Sequence, residues 1–221
     1  MSTLRSYDDP CGIARALDCV GERWALLIVR ELLFGPKRYT DLRAGLPFAS
    51  PNVLSQRLQE LEACHVLHKR VLPQPSVVTV YELTDWGREL EPVLQSLARW
   101  GGRAEMTSAQ ELSTDALLMA LQTTFVGSAG PLAKSRVQLR LGTHVFQLVV
   151  DRRRLTIERG HDKPFDAAIT TSASCLRRVV FGRETLAHAR RAGELSLEGD
   201  EQVAAQFLQM FSRPRPAAQA S

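Results

Sequence analysis

Residues 50–65, SPNVLSQRLQELEACH, are built as a short amphipathic helix. Ser50 is of the type that caps a helix N-terminus, and Pro51 suits the first helical position, where its missing N–H costs nothing. Leu54, Leu58 and Leu61 fall at i, i+4 and i+7, one stripe that a core can bury. Asn52, Ser55, Gln56 and Gln59 point elsewhere, with Arg57 among them. Amides, a hydroxyl and an arginine near a helix N-terminus suit a helix that reads base edges in a DNA major groove. They equally suit the outside of an ordinary surface helix, so the flanking sequence has to decide.

Charge is the first flanking signal. The chain carries 28 basic and 24 acidic residues, a formal +4, but residues 1–102 hold twelve of each and are neutral. Within that half, residues 35–81 carry six basic residues (Lys37, Arg38, Arg43, Arg57, Lys69, Arg70) against three acidic ones (Asp41, Glu60, Glu62), a local +3. A face that contacts phosphates requires such local excess.

The order of elements is the second signal. Asp9-Pro10 opens a helix with Ile13, Leu17 and Val20 at helical spacing, stopping near Gly21. A second helix from about Glu22 places Trp24, Leu27, Ile28 and Leu32 on one face. Leu26, Val29 and Leu33 lie on the other, so the reading is burial nearly all round. Gly35-Pro36 ends it. A short helix over Thr40 to Ala44 and a turn over Gly45 to Ser50 complete a helix-turn-helix arrangement with the stretch above. Val66–Leu72 and Val77–Leu83 read as strands joined by a turn at Pro73 to Ser76, so a hairpin wing follows the second helix. Thr84 caps a helix with Leu90, Val93, Leu94, Leu97 and Trp100 on one stripe and a bend expected at Pro92. That stripe needs a partner surface, a second copy of the chain being the natural one.

Over residues 10–101 the sequence resembles the HxlR-type winged helix-turn-helix transcription regulators. The matching pieces are Cys11, Gly21 to Trp24, Arg30 to Pro36, Tyr39 to Leu42, Ser50 to Leu61 and Leu83 to Gly87. The resemblance implies a homodimer held by its first and last helices and bound to double-stranded DNA at an operator with two half-sites. The DNA-facing set expected on this reading is Lys37, Arg38, Tyr39, Thr40, Arg43, Ser50, Asn52, Val53, Ser55, Gln56, Arg57, Gln59, Lys69 and Arg70. Family wings often carry an arginine near the tip; Gln74, Ser76, Val77, Val78 and Thr79 stand here instead. The resemblance also makes Cys11 a redox candidate, against the alternative of an unreactive buried thiol. Cys19, eight residues on, is about 12 Å away along a helix, so a sensing disulfide of Cys11 would need the other subunit.

Residues 103–112 read as a linker. A helix over Asp115 to Phe125, with Leu117, Leu118 and Leu121 inward, opens the second half. The period then changes: Val137, Leu139 and Leu141 alternate with Arg136, Gln138 and Arg140, a half-buried strand. Further strands are expected at His144–Val150, Leu155–Glu158, Phe165–Thr171 and Glu194–Glu198. Helices are expected over Cys175–Phe181, over Arg183–Ala192 and after Asp200, the last with Val203, Phe207 and Met210 inward. Residues 113–211 resemble the sterol-carrier-protein-like lipid-transfer domain through Asp151 to Arg154, Asp166 to Ser172 and Gly193 to Asp200. That resemblance implies an apolar tunnel for a fatty or sterol-like molecule; Leu176, Val180, Phe207 and Phe211 line it or fill the core solidly.

The fold expected is therefore mixed: a mainly α winged helix-turn-helix over 1–102, then an α+β domain whose five-stranded sheet is covered by helices on one face, then a flexible tail over 212–221. Arg152 to Arg154 are a solvated hairpin tip or a contact to DNA or an anionic ligand. Glu62, Cys64, His65 and His68 do not share a spacing that holds a metal. The sequence has no apolar block near its start and no apolar run near the ~20 residues that cross a bilayer, so no membrane partner and a cytoplasmic protein are expected. No cofactor motif or catalytic motif appears, so no enzyme is expected. The function expected is a dimeric, sequence-specific DNA-binding transcriptional regulator whose second domain senses an apolar small molecule. Two alternatives stand beside it. One is a redox-responsive regulator using Cys11, with the second domain a dimerisation module. The other is a lipid-binding carrier dimerised by the winged helix.

Overall fold

A computed structural model describes residues 6–72, 77–105, 110–127, 134–160, 163–182, 184–212, 214 and 216–217. The chain forms two compact units that divide between Leu94 and Gln95, inside a helix rather than after residue 102.

The first unit begins with α1 (Gly12–Val20). Its N-cap is Cys11, not Asp9; the Asp9 carboxylate accepts the Cys11 N–H at 2.8 Å and so orders the turn before the helix. α2 (Ala25–Leu32) starts later than the apolar spacing suggests, because Trp24 sits in the left-handed region with φ 81°. Ile28, Val29 and Leu32 are buried, but Leu27 is 39% exposed, so α2 is not covered all round. α3 (Tyr39–Gly45) and α4 (Pro51–Ala63) form the helix-turn-helix, and β1 (Leu67–Leu72) and β2 (Val78–Leu83) pair antiparallel behind it. The turn expected at Pro73 to Ser76 lies outside the described residues. Lys37 adds a third short rung to β2, its N–H and C=O both bonded to the backbone of Tyr81.

Leu54, Leu58 and Leu61 of α4 are all buried, as the i, i+4, i+7 stripe requires, and α1, α2 and β1 pack against this helix. Burying each leucine contributes about 1.5–3 kcal/mol. The Ser50 hydroxyl accepts the Val53 N–H at 3.3 Å and fixes where α4 begins.

After β2 the expected single bent helix is two helices, α5 (Asp85–Arg88) and α6 (Glu91–Gly101). A proline inside a helix clashes with the carbonyl four residues before it, here Arg88, the last residue of α5. Pro92 instead falls in the first turn of a new helix, where its lack of an N–H is harmless.

The second unit contains α7 (Thr114–Thr124), β3 (Lys134–Leu141), β4 (His144–Asp151), β5 (Arg154–Arg159), β6 (Ala167–Thr171), α8 (Ala173–Phe181), α9 (Leu186–Arg191), β7 (Leu195–Gly199) and α10 (Glu201–Phe207). The five strands make one mixed sheet in the order β5-β4-β3-β6-β7; β3 and β6 are parallel and the other neighbours antiparallel. One face, with Val137, Leu139, Phe146, Leu148, Ile157, Ile169 and Leu195, is buried; its core is shared by Leu117 and Leu118 of α7, Leu176 of α8, Ala189 of α9 and Phe207 of α10. The opposite face is not simply half-buried. Gln138 and Gln147, paired across β3 and β4, are also buried. Gln147 Nε2 donates to the Pro164 carbonyl at 3.5 Å, and Arg140 lies over the Phe165 ring, so the segment before β6 crosses this face. α9 starts at Leu186; Arg183, placed in that helix by its sequence, lies outside the described residues. The stretch read as a tail is tied at two points: Ser212 N–H donates to Thr124 and Ala217 N–H to Arg103.

Candidate nucleic-acid interface

Asn52, Ser55, Gln56 and Gln59 are exposed on α4, and Val53 is half-buried beside them. Thr40 on α3 and Ser50 at the turn are exposed too. Tyr39 acts within the motif. Its hydroxyl donates to the Pro51 carbonyl at 3.1 Å and accepts from Ser55 Oγ at 3.4 Å, which ties the start of α3 to the start of α4. Gln56 Nε2 donates to Glu60 Oε1 at 3.0 Å, so the amide is held in place along the outer face.

Four of the six cations behind the local +3 are turned toward carboxylates. Lys37 Nζ is 2.8 Å from Glu31, a fully buried side chain that Arg30 also meets at 2.7 Å. Arg57 is paired with Glu60 and, at 3.4 Å, with Glu22, and little of its side chain is exposed. Lys69 donates to Glu62 at 2.9 Å, which raises the pKa of its ammonium above the ordinary value. Arg70 meets Glu82 at 2.7 Å, and Arg88 meets the same carboxylate at 3.2 Å. Arg38 and Arg43, both exposed on or beside α3, have no carboxylate partner among the described residues. Glu31, Glu22 and Glu82 lie outside residues 35–81, so the local charge of that stretch exceeds the free positive surface it presents.

Glu31 is the residue that sequence reasoning missed. It lies on the apolar helix α2 and is fully buried, and its carboxylate reaches the end of α3 at Gly45. A Cβ on Gly45 would come within 2.2 Å of Glu31 Oε2, so a side chain there would force the carboxylate to shift. The sequence signal was an Arg30-Glu31 pair in an otherwise apolar run.

Cys11 is exposed at the start of α1. Glu62 is bonded to Lys69, and His68 faces Glu82 at 3.9 Å.

In the second unit, Leu176 and Phe207 lie in the packed core, and Val180 and Phe211 are half-buried. Phe211 is the centre of an aromatic cluster, with ring centroids 5.2 Å from Phe207, 5.9 Å from Phe125 and 6.5 Å from Phe181. An open cleft of about 780 Å³ lies elsewhere, lined by Arg178, Glu184, Thr185, His188, Arg191 and Glu194. Its polar lining includes none of the four pocket candidates, and Arg178 is held there by Glu184 at 2.6 Å and by Glu194.

A helix-turn-helix with an exposed polar second helix, a hairpin behind it and a separate α+β unit defines a winged helix-turn-helix protein of the regulator class, carrying an appended domain. Residues 19–109 match the family described as HxlR-like helix-turn-helix, and residues 128–212 match the SCP-2 sterol transfer family. Similar proteins include the uncharacterized HTH-type transcriptional regulator YvaP of Bacillus subtilis (strain 168), 42% identical over 86 residues, which are 39% of this chain and 80% of YvaP. The HTH-type transcriptional regulator YodB of the same organism is 36% identical over 85 residues, 38% of this chain and 76% of YodB. Among solved structures, the redox regulator HypR in its oxidized form is 30% identical, with 44% of this chain and 100% of that chain covered and a TM-score of 0.41. The chain belongs to the HxlR-like helix-turn-helix family of transcriptional regulators, and its second domain is of the SCP-2 type.

Proposed function

We propose that the protein is a homodimeric, sequence-specific DNA-binding regulator, and that its second domain binds an apolar small molecule that shifts DNA affinity. The observation that carries the DNA half is the exposed polar row of α4, Asn52, Ser55, Gln56 and Gln59, with exposed Arg38 and Arg43 beside the turn. Base contacts come from the row and phosphate contacts from the two arginines. Lys37, Arg57, Lys69 and Arg70 position the motif through their carboxylate partners and contribute less to phosphate contact. The protein acts in the cytoplasm; among the described residues no helix is long and apolar enough to cross a membrane.

Dimerisation is supported by uncovered apolar side chains on two helices. Ile13 is 73% exposed on α1, where Leu17 is also exposed, and Trp100 is 75% exposed on α6, with Val93 and Leu97 on the same stripe. The ligand half is supported by the SCP-2 match and by Val180 and Phe211, half-buried at the rim of an apolar core. Ligand and DNA are coupled if the ligand favours one placement of the two winged helices over another.

Electrophoretic mobility with the promoter of the protein's own gene tests the regulator. A sequence-dependent shift is expected; no shift, or equal affinity for random DNA, would favour a carrier dimerised by its winged helix. A second reading, a redox response through Cys11, is favoured by the exposure of that thiol. It predicts a covalent dimer on oxidation that Cys11→Ser abolishes.

A further inference from the structure

All of the chain's formal +4 lies in residues 103–221, and its unpaired part gathers at one end of the five-stranded sheet. Lys134 and Arg136 open β3, and Arg152, Arg153 and Arg154 carry the turn from β4 into β5. All five are exposed, and none has a carboxylate partner among the described residues. By contrast Arg140 meets Glu198, Arg177 meets Glu111 and Arg190 meets Glu201. Register sets the strand cations on one face. Lys134 stands opposite Asp151 and Asp151 opposite Arg154, a row across β3, β4 and β5, with Arg136 two residues along β3 on the same side. The row spans about 10 Å. Two carboxylates belong to the group: exposed Asp151 within the row, and Asp166, whose Oδ2 accepts the Arg136 N–H at 2.7 Å. Five cations against two acids leave +3. The turn itself is strained. Arg152 has φ 52° at the first of two turn positions, where hairpins favour glycine or asparagine. An arginine adopts that conformation at a steric cost, and strain of this kind collects at functional sites. Gly127 backs the turn: a Cβ there would lie 3.0 Å from Arg153 Cγ and 3.1 Å from the Arg152 carbonyl oxygen.

We propose that this end of the sheet is a second phosphate-contacting surface, through which the appended domain grips the sugar-phosphate backbone of DNA whatever its sequence. Four of the five cations are arginines, whose planar fork matches two phosphate oxygens at once. Contacts of this type supply affinity and orientation rather than base recognition. Charge complementarity fits an anionic membrane as well, but membrane contact gains its hold from apolar side chains beside the charges. Here the neighbours of the cations on the same face, Val149 and Thr156, are half-buried, so the patch offers charge without an apolar side chain to insert. The tether decides the partner. The proposal rests on reading the first domain as DNA-binding, and a chain held on DNA by one domain presents phosphates to the other at high effective concentration.

The test uses the full chain carrying Arg152→Gln, Arg153→Gln and Arg154→Gln together, with circular dichroism confirming the fold. Fluorescence anisotropy is measured over a series of salt concentrations with two duplexes, the promoter of the protein's own gene and a random sequence of equal length. Loss of three phosphate contacts should reduce the slope of log affinity against log salt by about 2–3, and should weaken both duplexes alike, by about tenfold or more at low salt. Arg190→Gln removes a cation already held by Glu201 and should leave the slope unchanged. An unchanged slope in the triple variant, or an equal drop per charge removed in Arg190→Gln, would overturn the proposal. So would loss of binding to vesicles of equal parts phosphatidylcholine and phosphatidylserine with DNA binding intact, which would make the face a membrane contact. The ratio of promoter to random affinity reads the regulator, and the salt slope reads the patch. A promoter preference with no change of slope sinks the patch alone; a change of slope with no promoter preference sinks the regulator alone.

Discussion

Gln56 and Arg38 are expected to fail differently when removed. Gln56→Ala takes away an exposed amide already aligned by Glu60, and should weaken specific binding by about 1–3 kcal/mol per half-site while sparing random DNA. Arg38→Ala should weaken all sequences alike and flatten the dependence of affinity on salt; fluorescence anisotropy at several salt concentrations checks both. Two glycines separate packing from flexibility at the same scale. A Cβ on Gly87 would lie 2.0 Å from the Val66 carbonyl oxygen, whereas nothing lies within 4 Å of one on Gly12. Gly87→Ala should cost about 1–3 kcal/mol in urea unfolding, and Gly12→Ala should be neutral or stabilising by roughly 0.5–1 kcal/mol. Cys64 gives a pH dependence with a definite sign. Burial, with the neighbouring Cys19, Glu60 and Asp18, pushes its thiol from the ordinary 9.0 up to about 12, so the folded state holds the proton over that window. The stabilisation is fully present below about pH 9 and is lost as pH rises toward 12. The Tm of the first domain should fall above pH 9, less steeply in Cys64→Ser.

At the scale of elements, α1 and α6 carry the dimerisation reading. Leu97→Asp or Ile13→Asp places a charge on an uncovered apolar stripe and leaves the monomer core untouched. Sedimentation velocity should show a shift to monomer with the helical signal unchanged; a dimer that persists in both variants would exclude these faces. The positions of α4, its cap and its buried leucines were legible in the sequence, because N-cap chemistry and a 3.6-residue period are local. The break between α5 and α6 was half legible. Pro92 marked the place, but whether a helix bends or ends there depends on what each half packs against, and α5 is pinned by Thr84. Its hydroxyl bridges the His65 carbonyl and the Gly87 N–H.

For the whole molecule, two compact units with separate cores should unfold as two calorimetric transitions. Leu118→Ala, in the second core, should lower one of them by about 2–5 kcal/mol and leave the other in place. Native mass spectrometry of the purified protein checks the ligand reading: a bound apolar compound is expected, released when Phe211 is replaced by Asp.

What the sequence determined by itself was the helix-turn-helix followed by a hairpin, the five strands of the second half, and which face of α4 is buried. These follow from periodicity, caps and turn residues that act within a few positions of one another. Only the tertiary structure decided which charges are free. Lys37, Arg57, Lys69 and Arg70 look alike in the chain, yet each meets a carboxylate that folding delivers, in three cases from outside the basic window. The burial of Glu31 against Gly45 and the covering of Gln138 and Gln147 have the same origin. Each is a contact between segments remote in sequence, and Coulombic and packing energies depend on distance in space, which a local pattern does not encode.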